Sequence, residues 1–468
     1  MPERVHAFTD DALGDHDATA LASLVEQKEV SPAELAEAAV ARAEAVQPLL
    51  NGVHVADYER ALATADSTPH GPFHGVPTFV KDNVDLAGLP TNHGTTAFTA
   101  RPAAQDGPFV TQLRSLGFTF LGKSRLPEFG FSASTEYAEG DPVRNPWNTD
   151  FSAGASSGGS AALVASGVVP VAHANDGGGS IRIPAAACGL VGLKPTRGRF
   201  VLEPNERAMP VNIIGQGVVT RTVRDTARFF AAMEAARPAR GLPPVRRVLG
   251  PSSTRLRVGV VLDSVTGTPT DAETRAAVES TAALLASLGH EVEEMDLPVS
   301  AKFAEDFSLY WGMLGFAITA GGKRALGPEF DPARTDNLTR GLAASYKKRL
   351  ARTPGMVLRL RRSTREYRRA FAGRDVVLSP VLGHTTPLLG HLSPTLDFEE
   401  LFERLRTYVG FTPLNNVTGG PGMSLPLAAS STGLPIGVHL SADLGDERTL
   451  LELAYELEEA RPFASIRG

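Results

Sequence analysis

Cysteine is nearly absent from this sequence, with Cys188 the single one. That excludes an internal disulfide framework and a thiolate-rich metal site, and it fits a reducing compartment. Long apolar runs are missing too. No stretch of about 18 apolar residues exists for a membrane span, and the N-terminal MPERVHAFTDDALGDHD lacks the apolar centre of a secretory signal. Nor does one sign of charge dominate: 46 basic residues stand against 52 acidic ones, a net charge of -6, so nothing global draws the chain to phosphate backbones or anionic lipid. Internal repeats and low-complexity tracts are also lacking. These absences predict a cytoplasmic protein with no nucleic-acid or membrane partner; a monomer or homodimer is the default expectation.

What is present is ordinary globular material. The 468 residues are 42% hydrophobic and 21% charged, ample for a large core. Ser31-Pro32-Ala33-Glu34 forms a capping box with proline at the first helical position. Leu35, Ala38, Ala39, Ala43 and Val46 follow at helical spacing, with Arg42 on the edge of the stripe, predicting a helix over 31–46. Residues 75–82 and 118–122 read as strands, and Ala161 to Val171 as a helix running into a strand. Thr222 caps a helix to about Ala236, and a linker rich in Pro, Arg and Gly covers 237–251. A strand over 256–262, a helix over 271–288 and a strand over 291–295 make a βαβ unit with a parallel pair. Further strands at 376–380 and 437–440 and a helix over 450–459 complete an α/β pattern.

Three segments could carry chemistry. In Asp176-Gly177-Gly178-Gly179-Ser180-Ile181-Arg182, consecutive glycines leave N–H groups free to converge on an anion or oxyanion, with a hydroxyl at the end of the nest. The same glycines also suit a phosphate loop or a flexible turn. Gly154-Ala155-Ser156-Ser157-Gly158-Gly159-Ser160 precedes an apolar helix, and alone it reads as an N-cap. Lys81 ends a strand after Phe79 and Val80, where a lysine commonly snorkels to the surface.

Together and in this order, the segments resemble the amidase signature family. The match lies in Gly75-Val76-Pro77 with Lys81-Asp82, Ser156-Ser157-Gly158-Gly159-Ser160, Gly178-Gly179-Ser180-Ile181-Arg182 with Pro184, and Cys188-Gly189-Leu190-Val191-Gly192-Leu193-Lys194-Pro195-Thr196. Lys81 and Ser156 stand 75 positions apart, and Ser156 and Ser180 stand 24 apart. The likeness runs from the N-terminal helix to about Thr222, returns over 411–415 and 433–437, and fades between 238 and 374. It implies one α/β domain over 1–468, a large mixed sheet flanked by helices on both faces, a catalytic core over 75–222, and a variable cap-like region over 238–374 that shapes specificity.

By the same resemblance Ser180 is the acyl-forming nucleophile, Ser156 a bridging serine after a cis peptide bond, and Lys81 the general base. Gly177, Gly178, Gly179 and Ser180 supply oxyanion-hole N–H groups, with Ser157, Asp176 and Arg182 in support. No cofactor and no metal is implied. A lysine base must be neutral at working pH, so burial has to pull its pKa down. Phe79 and Val80 offer apolar surroundings, and Asp82 falls on the opposite strand face. Two departures stand out: Ala155 replaces a usual glycine, and Gly177 replaces a larger residue, which should loosen the loop or widen the pocket. Ala174 to Ser180 and Gly192 to Arg199 look like the branch holding the cyclic nylon-oligomer hydrolases and urethanase-like amidases. That implies a small-molecule amide or carbamate as substrate.

Weaker signals remain. Arg182 is read as bracing the loop through Asp176. Phe129, Phe131, Tyr137, Tyr310, Trp311 and Phe316 are candidate pocket walls, with core packing the alternative. His70 and His74 sit in a turn without an acidic third metal ligand, and His93, His173 and His439 could line the site. The basic run over 347–369 reads as a solvated helix face pairing with acids elsewhere. Two other function classes stay open: the glutaminase subunit of a tRNA-dependent amidotransferase, and a nucleotide-binding module, which lacks the lysine-threonine ending of a P-loop.

Overall fold

The computed structural model describes residues 4–297 and 299–468, so the first three residues of the charged N-terminal stretch lie outside it. Helix α1 (Pro32–Leu50) starts at the expected box: Ser31 Oγ accepts from the Glu34 N–H at 3.2 Å, and the Glu34 carboxylate accepts from the Ser31 N–H at 2.8 Å. It runs past Val46, through Pro48, to a left-handed Asn51. Arg42 is not at the edge of its stripe. It is buried, and it donates to the Asp11 carboxylate and to the carbonyls of Thr9, Gly14 and Gly167.

Strands β1 (Val53–Ala56), β2 (Pro77–Lys81) and β3 (Thr119–Ser124) form a small sheet in the order β1-β3-β2, with β3 antiparallel to β1 and parallel to β2. Every residue of β2 is buried, the polar Thr78 and Lys81 included. The serine-rich segment leads into α2 (Gly158–Ala165) and β4 (Val171–Asp176). After the glycine loop come α3 (Arg182–Cys188), β5 (Val191–Lys194), β6 (Gly215–Thr220) and α4 (Val223–Ala236). The predicted βαβ unit is β7 (Arg257–Val260), α5 (Ala272–Ser287) and β8 (Glu291–Glu294), with β7 and β8 parallel.

Three long helices follow, α6 (Ala301–Ala325), α7 (Asn337–Lys347) and α8 (Thr353–Ala370). The chain closes with β9 (Val376–Pro380), α9 (Phe398–Tyr408), α10 (Pro413–Thr418), β10 (Gly422–Ala429), β11 (Pro435–Ser441) and α11 (Glu447–Ala460). Among the described residues the main sheet has eight strands in the order β8-β7-β9-β11-β10-β5-β6-β4. The β8-β7 and β7-β9 pairs are parallel and the others antiparallel, which makes the large mixed sheet that the resemblance implied.

The small sheet meets the main one where β2 runs beside β4. Thr78 Oγ1 donates to the Val171 carbonyl at 3.0 Å, and the Lys81 N–H donates to His173 Nδ1 at 3.1 Å. Lys81 is thereby set against the strand that leads into the glycine loop.

The segment 238–374 is not one cap. Its first part, β7-α5-β8, extends the main sheet, with β7 pairing parallel to β9 and Val258 and Val260 buried. Only α6, α7 and α8 form a separate helical layer. On α8, Arg359 pairs with Asp306 at 2.6 Å, Arg361 donates to the Pro210 carbonyl at 2.9 Å, and Arg368 pairs with Asp443 at 3.4 Å.

Candidate active site

Lys81 is fully buried at the end of β2. Its Nζ lies 2.8 Å from Ser156 Oγ, 3.0 Å from Ser157 Oγ and 2.7 Å from Asn175 Oδ1. Burial pulls its pKa down to about 7, with the Asp176 carboxylate pulling the other way. Asp82 does not face this ammonium. It points across the strand to Lys123 Nζ at 2.8 Å and to His54. A neutral amine has two N–H donors and one lone pair. Asn175 Oδ1 can only accept, so it takes one donor. The Ser157 hydroxyl spends its own proton on the Asn175 carbonyl at 3.3 Å and takes the other. The lone pair is left for the Ser156 O–H. The peptide bond between Ala155 and Ser156 is cis.

The glycine loop runs from β4 into α3 and is braced from below. Arg182 grips the Asp176 carboxylate through Nε and Nη2, both at 2.9 Å, and reaches Asn416 Oδ1 at 2.7 Å and His439 Nε2 at 3.1 Å. Burial alone would push the Asp176 carboxyl up, but Arg182 beside it holds it well below the usual carboxylate range. Asp176 Oδ1 accepts the Gly179 N–H at 2.7 Å, and Thr412 Oγ1 donates to the Gly178 carbonyl at 2.6 Å. The peptide between Gly178 and Gly179 is thus pinned at both ends. Gly179 has φ 135, and a Cβ there would lie 2.4 Å from Thr412 Oγ1, so no larger residue fits.

This corrects one expectation. The Gly179 N–H is committed to Asp176 and is not free for an oxyanion. The N–H groups of Gly177, Gly178 and Ser180 have no partner among the described residues. No hydrogen bond among those residues joins Ser156 to Ser180, although both line the same cavity.

That cavity is mostly apolar. Phe129 and Phe131 line it from the loop after β3, and Phe303, Phe307, Trp311 and Leu314 line it from one face of α6. Three expected wall residues are elsewhere. Tyr310, at the edge of that face, turns to the Val211 carbonyl, to which its hydroxyl donates at 2.5 Å. Phe316, on the far flank, packs on Tyr346 with ring centres 5.5 Å apart. The Tyr137 hydroxyl donates to the Leu126 carbonyl at 2.9 Å. Tyr310 is buried core, and Phe316 and Tyr137 are half-buried, each turned to a neighbouring element on its own side of the chain.

The histidines stay outside the cavity. His173 is buried behind Lys81, burial pushes it down to about 3, and its Nε2 meets Gln216 Oε1 at 2.9 Å. Sequence reasoning missed Asn175, Asn416, Ile213, Ile214, Phe307 and Thr412. Thr412 lies within the 411–415 likeness and Asn175 next to Asp176, so both could have been found. Ile214 carries no local signal.

The family described as Amidase matches residues 34–451. A Mycobacterium tuberculosis protein named "Putative amidase AmiC" is 52% identical over 468 residues, covering 99% of this chain and 98% of that one. The 6-aminohexanoate-cyclic-dimer hydrolase of Paenarthrobacter ureafaciens is 34% identical, covering 96% of each. A solved 6-aminohexanoate cyclic dimer hydrolase superposes with a TM-score of 0.88 at 33% identity, covering 98% of this chain and 99% of that one. A bacterial aryl acylamidase superposes with a TM-score of 0.84 at 25% identity, covering 96% and 97%. The chain belongs to the amidase signature family, and it is an amide hydrolase of that family.

Proposed function

We propose that the chain hydrolyses small-molecule amides, with esters and carbamates as further substrates, through Ser180 as nucleophile, Ser156 as proton relay and Lys81 as base. The observation that carries this reading is the buried Lys81 Nζ, 2.8 Å from Ser156 Oγ, at the floor of a cavity that Ser180 shares. With Asn175 Oδ1 and Ser157 Oγ taking both N–H donors, the lone pair is aimed at Ser156.

On substrate binding the Ser180 hydroxyl turns to Ser156, a contact of the kind that tightens in the reacting complex. Ser180 Oγ bonds to the carbonyl carbon while its proton passes to Ser156 Oγ, and the proton of Ser156 passes to Lys81 Nζ. The carbonyl π pair moves onto oxygen, facing the N–H groups of Gly177, Gly178 and Ser180. Collapse breaks the C–N bond, and the proton returns from Lys81 through Ser156 to the leaving nitrogen. Water then repeats the sequence on the acyl-enzyme.

An apolar acyl or aryl body suits the walls made by Phe131, Phe303, Phe307 and Trp311. A glutaminase would need charged groups to clamp an amino acid, and Arg406 is the one charged residue among those described around the cavity.

Replacing Ser180 by alanine is expected to abolish hydrolysis of acyl anilides. A sulfonyl fluoride should add its mass to the peptide holding Ser180 in the parent and not in the variant. Turnover retained by the alanine variant rejects the assignment.

A further inference from the structure

We infer that Ile214 is a specificity-determining residue: it fills the space beside the glycine loop left by the missing side chain at position 177, and so limits the bulk of the acyl group admitted. The inference rests on the reading of Ser180 as nucleophile and deepens it.

The two positions are cross-strand neighbours. Strands β4 and β6 pair antiparallel, with Asp176 opposite Gly215, so continuing the register by one residue sets Gly177 against Ile214. A Cβ at 177 would lie 2.8 Å from Ile214 Cδ1 and 3.9 Å from Ile213 Cδ1, so the isoleucine tip already stands where a larger residue would begin. The pocket is therefore not widened by Gly177, contrary to the sequence expectation.

Ile214 is also held in place. Asn416 Nδ2 donates to the Asp176 carbonyl at 2.8 Å and to the Ile213 carbonyl at 2.9 Å, tying the wall and the loop to one side chain. Across the loop, a Cβ on Gly178 would touch Phe307 Cζ at 3.5 Å. Ile214 and Phe307 thus flank the N–H groups proposed to meet the oxyanion.

Which substituent they meet follows from the proton path. Ser156 delivers the proton to the leaving nitrogen, so the leaving group lies on the side of Ser156. That side is walled by Gly130, where a Cβ would come 3.0 Å from Ser156 Oγ, and by its neighbours Phe129 and Phe131. The acyl substituent is left to face Ile214 and Phe307.

The test compares kcat/KM for acetyl and pivaloyl para-nitroanilide, which share a leaving group, in the parent, I214A, G177A and the double variant. I214A is expected to raise the pivaloyl-to-acetyl ratio about tenfold or more, the scale on which apolar pockets discriminate methyl-sized groups. G177A should lose about tenfold or more on both substrates, and the double variant should recover most of that loss. The labelling rates of Ser180 by methanesulfonyl and phenylmethanesulfonyl fluoride read the same shift without turnover, and circular dichroism checks folding.

An unchanged ratio in I214A, a fully active G177A, or a double variant no better than G177A overturns the proposal. So does a shift found only when the leaving group is varied on a fixed acetyl. Failure of the catalytic reading shows separately, as hydrolysis by S180A.

Discussion

At the scale of single residues, the proposed chemistry turns on one amine. A lysine held near pKa 7 by burial is protonated below that value and neutral above it. Taken as the base, it makes kcat/KM rise about tenfold per pH unit up to roughly pH 7 and level off beyond. Lys194, also buried and pulled down to about 7 by burial and by Arg182, is the competing explanation for such a limb. It donates to the Pro195 carbonyl at 2.6 Å and does not line the cavity. A pH profile of K194M should keep the limb, and its loss there would reassign it.

At the scale of elements, the glycine loop is a strand end and a helix start stapled together by Arg182. Removing the guanidinium leaves the Asp176 carboxylate buried beside two backbone N–H groups and Asn416, without its counter-charge. Breaking a buried pair in this way costs about 3–5 kcal/mol, so R182A should show that loss in urea unfolding. The freed loop should also cost kcat about a hundredfold, since small displacements of oriented groups are that expensive. A variant with parent stability would mean that Thr412 and Asn416 hold the loop unaided.

At the scale of the whole molecule, buried lysines set how stability follows pH. Lys81 and Lys194 have folded pKa values near 7, far below the ordinary lysine value of 10.5. Between these limits the unfolded chain binds more protons than the folded one, so stability rises with pH. The contribution is present above the unfolded value and lost as pH falls toward 7. Each lysine adds up to about 1.4 kcal/mol per pH unit. Glu128, Glu206 and Glu458, each raised by burial to about 7, act in the opposite sense until pH passes that value, and burial pushes the Cys188 thiol up, which opposes the lysines only above its ordinary range. Urea unfolding between about pH 7.5 and 8.5, where those carboxyls are largely ionised in both states, should therefore show rising stability, with K81M and K194M each flattening the slope. A flat or falling curve in the parent would contradict it.

How much could be read before folding depends on whether the cause was local. The capping box at Ser31 and Glu34, the parallel pair β7 and β8, and the order of Lys81, Ser156 and Ser180 are all set by neighbouring residue types or by period, so the chain displays them. That Asp82 faces away from Lys81 follows from strand alternation alone. Which aromatics wall the cavity was not legible. Phe307 and Tyr310 share a helix, and only the packing of residues near Val211 against α6 decides that one faces the cavity and the other the core.

The sequence by itself determined the scaffold class and, through its family resemblance, nominated Ser180, Ser156 and Lys81 for the proposed roles of nucleophile, relay and base, because the resemblance rests on residue types at fixed spacing. Only the tertiary structure decided that Asp176 takes the Gly179 N–H, that Asn175 and Ser157 aim the amine, and that Ile214 occupies the space at Gly177. The last two join residues from separate strands and loops, and the first depends on the turn that Arg182 and Thr412 impose on the glycine loop, so no local pattern records them.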